Sequence, residues 1–463
     1  MDKQLLQTFI NDFWNKKALP GLCEFIKIPN QSPEFDNNWE KNGYMDDAAN
    51  TVIEWCKENS PKEMKIENLQ TPGRTPFIVI TIPGNINKNI LFYGHIDKQP
   101  PGKGWDDDLG PYKPTIKNNR IYGRGTVDDG YAVFTAITAV LALQRQNIDH
   151  PNIQIMLEAS EESGSIDLPF YLENFSEKIH NPDRLICLDS GCGDYKRLWL
   201  TTSLRGMLSG KLTVKVLTEG VHSGLAGGII PSTSSILIQQ LQKITNHDFS
   251  VKLPELQAII PSLRQKQIKD IAKILGISVY KDMPFSKGVE PLSKDIEILL
   301  QKQAWGNACE IIGIDGIPSI AAAGNVHIAE VSTKISIRLP PTCSAVLAAN
   351  AVKTNIEKAS PYNTKTSFTI TSANDGWHGS EESKEDQELF SRCSKDFFGN
   401  DCAYMGEGGS IPIINLLSQK FPKAKCIVTG VLGPHGNAHG PNEFLSITAV
   451  KKFSACISSI LAG

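Results

Sequence analysis

From the N-terminus to about residue 204, short apolar runs alternate with stretches of helical spacing, the pattern of a sheet covered by helices. Ile90 to Tyr93, Ile153 to Leu157 and Leu185 to Leu188 have the length and continuity of buried strands. Each is followed at once by acidic, polar or histidine residues, which puts those side chains at the carboxyl ends of the strands, where α/β sheets bind ligands. Tyr131 to Leu143 is nearly all apolar, but it is interrupted by threonine and too short for a bilayer core of about 30 Å. It predicts a buried helix.

The texture changes after Arg205-Gly206. Leu208 to Val216 alternates, a glycine-rich turn follows, and a helix is expected from about Pro231 with Ile236, Leu237, Leu241 and Ile244 on one side. Ile335, Ile337 and Leu339 predict a strand whose other face carries Lys334, Ser336 and Arg338. Residues 250 to 325 are helical and irregular, with no order that the pattern fixes. From about 371 the chain is expected to rejoin the first domain, ending on a strand at Cys426 to Val431 and a last helix. The expected architecture is α/β with a mixed sheet, formed by 1–204 and 371–463, with an α+β domain inserted at 205–370.

A chain of 463 residues with 40% hydrophobic content fits two domains. Lys plus Arg (47) and Asp plus Glu (50) nearly balance, so there is no broad basic field for nucleic acid, and no membrane partner is expected. The first residues, MDKQLLQTFINDFW, lack the basic start and apolar run of an export signal. Ten scattered cysteines without CxxC spacing fit reduced thiols in a cytoplasmic protein, packed as small hydrophobes.

Five clusters carry candidate chemistry. In Gly94-His95-Ile96-Asp97, His95 and Asp97 are two apart at a strand end and project to one side, either as a metal ligand with its orienting carboxylate or as a structural hydrogen-bonded pair. Gly123 to Gly130 delivers Asp128 and Asp129 just before an apolar helix; a cation would keep both ionised, and a helix cap is the other reading for either. Glu158 to Ser165 sets Glu161 beside Glu162 after a strand, which suits a ligand and a general base or, more simply, a solvated acidic turn. Asp189 ends another strand, and His439 lies in a Gly/Pro loop near the C-terminus. Together these give two imidazoles and several carboxylates, a donor set for dinuclear zinc, manganese or cobalt.

With GHID at 94–97, GRGTVDDG at 123–130, EASEESGS at 158–165, LDSG at 188–191, VHSGLAGG at 221–228, GEGGSIPI at 406–413 and NAHGPNE at 437–443, the chain resembles the M20 family of metallopeptidases and deacylases over nearly its whole length. The resemblance implies a zinc-peptidase-like catalytic domain with an inserted lid that also forms a homodimer. It implies that His95 and Asp189 hold one metal, Glu162 and His439 the other, and Asp128 both, with a cis peptide after Asp128. Asp97 would orient His95, and Glu161 would be the base for water activated between two divalent cations. His222 would stabilise the oxyanion in the neighbouring subunit's site. Arg338 would bind the substrate carboxylate, with Ser410 and Gly409 of the loop before the next helix and Asn325 as further contacts.

Ser410 is also expected as that helix's N-cap, and Pro412 in its first turn. Two departures stand out. Gly406 replaces the arginine found there in many dipeptidase members, and His327-Ile328 replaces a common Ile-Pro. The implied substrate is a dipeptide or small peptide with a free carboxylate; an N-acyl amino acid, as in a desuccinylase-like deacylase, is the alternative. A non-catalytic metal-binding relative would lack a ligand or Glu161, and none is missing.

Overall fold

A computed structural model describes residues 1–463, which form two compact units. The first comprises Met1–Thr202, Gly379–Met405 and Leu416–Gly463; the second comprises Ser203–His378 and Gly406–Asn415.

In the first unit the strands Lys65–Asn68, Ile78–Ile82, Pro151–Glu158, Ile86–His95, Arg184–Cys187, Lys425–Thr429 and Trp199–Leu204 lie side by side in that order. Ile86–His95 runs parallel to both Pro151–Glu158 and Arg184–Cys187, and Lys425–Thr429 is parallel to Arg184–Cys187. The outer pairs are antiparallel, so the sheet is mixed. Parallel strands are buried on both faces, which is why they read as continuous apolar runs. Their shared direction also brings four carboxyl ends together, with His95 opposite Glu158 in register.

Helix Tyr131–Arg145 is almost wholly buried and packs against the last helix, Ile447–Ala462. The stretch Thr126–Arg145 is long and apolar enough to cross a bilayer, but 89% of its apolar window is buried inside the protein, as in a core helix. Ser446 caps the last helix by accepting from the Ala449 N–H at 3.4 Å. The indole of Trp14 donates to Ser454 Oγ at 2.9 Å, tying the N-terminal helical segment to that helix.

The second unit has a four-stranded antiparallel sheet in the order Ala308–Asp315, Glu330–Leu339, Gly206–Lys215, Lys365–Asn374. Leu208, Leu212, Val214, Ile335, Ile337 and Leu339 share a core with Ile236, Leu237 and Leu241 of helix Thr233–Gln242 and with helix Ala345–Glu357. Lys365–Asn374 pairs with Gly206–Lys215, so this unit runs on through His378. The 250–325 segment folds into helices Ser262–Leu275, Ser278–Lys281 and Ile296–Trp305 and the edge strand Ala308–Asp315. That strand escapes a periodicity reading because Ile311, Ile312 and Ile314 are all exposed and its register shifts between Ile311 and Gly313.

Candidate active site

The carboxyl ends of the parallel strands carry the first unit's candidate chemistry. His95 closes Ile86–His95, Asp189 follows Arg184–Cys187, and Glu161 and Glu162 form a single helical turn after Pro151–Glu158. Asp128 lies in the turn before helix Tyr131–Arg145, and the Asp128-Asp129 peptide is cis.

His95 Nε2 stands 3.2 Å from Asp128 Oδ1 and 3.8 Å from Asp189 Oδ2. His439 Nε2 stands 3.0 Å from Asp128 Oδ2 and 3.3 Å from Glu162 Oε2. Two groups able to hold a metal ion result, His95–Asp128–Asp189 and Asp128–Glu162–His439, with the ligand atoms of each within 4.8 Å of one another. Asp128 belongs to both and turns one carboxylate oxygen to each.

Asp97 ties these pieces together. Its Oδ1 lies 3.3 Å from His95 Nδ1 and accepts the Glu161 N–H at 3.1 Å, while Oδ2 accepts the Glu162 N–H at 3.0 Å. Asp129 does not cap the helix; its Oδ2 accepts the His95 backbone N–H at 3.3 Å. Glu161 is in neither metal-holding group, which leaves its carboxylate for another task.

The electrostatics fit bound cations. Burial and the Asp128 charge push the Glu162 carboxyl up to about 10, and burial, Asp189 and Asp97 hold Glu161 well above the usual carboxylate range. Asp128 is buried too, yet its bonds to His439 and His95 bring it below that range. His95 and His439 are both raised, because their bonds to Asp128 outweigh the burial that opposes their charge. Buried like charges about 4 Å apart repel by about 4 kcal/mol at an effective dielectric of 20. Divalent cations would relieve that repulsion without silencing the ligands. The nearby Lys98 is fully buried but donates to the carbonyls of Phe25 and Ile28 at 2.8 and 2.7 Å.

In the second unit, Val221–His222 pairs with Val326–His327, so His222 and Asn325 come together. Ser223 N donates to Asn325 O at 2.9 Å. The exposed His222 accepts the Gly224 N–H on Nδ1 at 3.1 Å. A neutral imidazole held this way carries its proton on Nε2 and is a donor there. A Cβ at Gly224 would stand 3.0 Å from His222 Cε1. His327 Nε2 instead meets the Ile230 carbonyl at 3.2 Å.

Arg338 is half-buried on the polar face of its strand and donates from Nη1 to Ser410 Oγ at 2.9 Å. Helix Pro412–Lys420 begins two residues after Ser410. Arg205 fixes the same loop, donating from Nε to Gly408 O at 2.9 Å and from its backbone to Gly409 O at 3.1 Å. Burial and the Arg338 charge bring the Arg205 guanidinium down to about 10. The absence of arginine at position 406 has a steric reason: a Cβ there would stand 2.5 Å from Ser203 Oγ and 2.9 Å from Ala304 Cβ.

The sequence model for Peptidase family M20/M25/M40 matches residues 91–462. The chain belongs to this family. It is 25% identical over 371 residues to the cysteinylglycine-S-conjugate dipeptidase of Corynebacterium striatum, covering 78% of each chain. It is 25% identical over 377 residues to the human beta-Ala-His dipeptidase, covering 79% of this chain and 73% of that one. Its fold matches the dipeptidase Dug1p of Saccharomyces cerevisiae with a TM-score of 0.75 and 23% identity over 100% of both chains. M20 metallopeptidases use divalent metal ions, and this member's candidate ligands are the two groups around Asp128.

Sequence reasoning missed two parts of this M20 site. Gln99 donates from Nε2 to Glu162 Oε2 at 2.6 Å. Its signal was available, since His95, Asp97 and Gln99 continue one alternation. Glu158, the first residue of the EASEESGS motif, accepts from Tyr93 OH at 2.7 Å and from Ser165 Oγ at 2.8 Å beneath the turn that carries Glu161.

Proposed function

We propose that this M20 enzyme hydrolyses the amide bond of dipeptides or small peptides with a free carboxylate, using two divalent cations, zinc by preference and manganese or cobalt as substitutes. The observation that carries the reading is Asp128, whose two carboxylate oxygens each meet the Nε2 of a different histidine. His95, Asp128 and Asp189 would hold one cation and Asp128, Glu162 and His439 the other, an all N/O donor set suited to these metals. When bound, the cations supply Lewis-acid polarisation of the amide carbonyl and lower the pKa of water towards about 7.

Glu161 takes the proton of the attacking water and returns it to the leaving amine. Its support is a carboxyl that lies outside both ligand groups, in the same turn as the ligand Glu162, and so is left to accept a proton. Asp97 orients His95 and fixes the turn of Glu161 and Glu162. His222 presents Nε2–H, the polarity an oxyanion needs, and does so across a homodimer. The exposed isoleucines of the edge strand Ala308–Asp315 support such a dimer. Arg338 binds the substrate carboxylate beside Ser410 and Gly409, with Asn325 as a further contact. All ten cysteines are free, in keeping with a cytoplasmic setting.

The test is release of free amino acid from a panel of dipeptides and N-acyl amino acids by metal-stripped protein resupplied with Zn²⁺, Mn²⁺ or Co²⁺. Cleavage of dipeptides is expected. Turnover of acylated amino acids alone would move the assignment to a deacylase with the same ligands.

A further inference from the structure

Arg124 and Glu443 form an ion pair with almost no solvent contact, their side chains 1% and 0% exposed, at 2.8 Å. Buried pairs are weak contributors to stability, since well-packed apolar residues often serve as well. The position of this one gives it another use. Glu443 Oε2 accepts from Arg124 Nη1 and from the Gly125 N–H at 3.1 Å, while Oε1 accepts from Thr126 Oγ1 at 3.2 Å and the Val127 N–H at 3.1 Å. All four donors lie just before Asp128 in the chain. In return, Arg124 Nη2 donates to Gly440 O at 2.8 Å, next to His439, and Gly123 N donates to Glu443 O at 3.1 Å.

The two groups around Asp128 differ in what holds them. His95 and Asp189 issue from the ends of paired strands in the sheet. His439 issues from a loop, its side chain 56% exposed, where His435, Asn437, His439 and Asn442 all have positive φ. Within that loop the bonds to Arg124 and through Glu443 are the buried connections to the Asp128 turn. We infer that Glu443 and Arg124 are positioning residues that register the His439 loop on the Asp128 turn, and so set the cation affinity of Asp128–Glu162–His439 without setting that of His95–Asp128–Asp189. This rests on the two-cation reading above.

The experiment titrates Zn²⁺ and Mn²⁺ into metal-stripped, full-length protein by calorimetry, with ions per chain counted after dialysis. Wild type is expected to hold two. Glu443→Gln is expected to weaken one site by about 10- to 100-fold, the usual scale for residues that orient ligands, and to leave the other within about twofold. Turnover of the variant then recovers as the cation is raised. Arg124→Lys keeps a charge beside Glu443 but loses the fork to Gly440, and must show the same selective loss even if Glu443→Gln does not fold. Two cations in wild type with both sites weakened equally, or neither weakened, overturns the positioning role alone. A wild type holding a single cation overturns the two-cation reading and this inference with it.

Discussion

Apart from the exposed His439, the candidate residues of the first unit and those of the second are built in opposite ways. His95, Asp97, Asp128, Glu162 and Asp189 are buried or nearly so, and each of the first four has two or more polar contacts. His222 is exposed with a single side-chain bond to Gly224, and Arg338 is half-buried with one to Ser410. Charges that must stay crowded together need neighbours that fix them on every side. Groups that meet a visiting molecule keep their donors for it.

The largest expected effect breaks the first unit without disturbing its ligands. Glu161→Gln should lower kcat by about 10²- to 10⁴-fold while the metal content measured after dialysis stays at the wild-type level. Retained turnover would reject Glu161 as the base. Next comes the second unit: His222→Asn should lower kcat by about 10²- to 10³-fold with metals intact. Mixed dimers of this variant with Glu161→Gln should regain part of the activity if the histidine serves its neighbour, and none if it serves its own chain.

Arg338→Lys is a smaller test of the same contrast. Losing a bidentate, charge-assisted contact of about 1.5–3 kcal/mol should raise KM roughly 10- to 100-fold with kcat little changed. A fall in kcat with KM unchanged would place Arg338 in the chemical step instead. The smallest effect concerns the support beneath the Glu161 turn. Burial, with the Asp97 charge second, pushes the Glu158 carboxyl up to about 7. A carboxyl whose pKa rises on folding keeps a proton that the unfolded chain has released, so stability falls as pH climbs from about 4.3 to about 7. In metal-stripped protein, Glu158→Gln should flatten that decline in Tm by a few degrees; an unchanged slope would remove Glu158 as its source.

What could be read from the sequence follows from how local each signal is. The parallel strands were legible because burial on both faces leaves unbroken apolar runs, and their acidic followers mark the carboxyl ends. Family membership and the mixed α/β fold, inferred from the ordered motifs, agree with the family match and the fold similarity. His439 stood out as a loop histidine, but its pairing with Glu162 came only through the resemblance, because nothing near it in the chain announces that partner. The Arg124–Glu443 pair spans 319 positions and leaves no period to detect. Ala308–Asp315 was invisible because an exposed edge strand does not alternate. The grouping of Gly406–Asn415 with the second unit depends on contacts made long after that unit's other strands, so composition does not reveal it.

Strand order also has a consequence for biosynthesis. Lys425–Thr429 lies between Arg184–Cys187 and Trp199–Leu204, yet it is translated long after both. At about 5–20 residues per second, the gap in the sheet stays open for on the order of ten to fifty seconds on the ribosome. Throughout that interval the nascent chain exposes two bare strand edges and a carboxylate cluster that still lacks His439. A chaperone that shields Arg184–Cys187 until the last forty residues emerge would serve this protein more than one that acts on the finished chain.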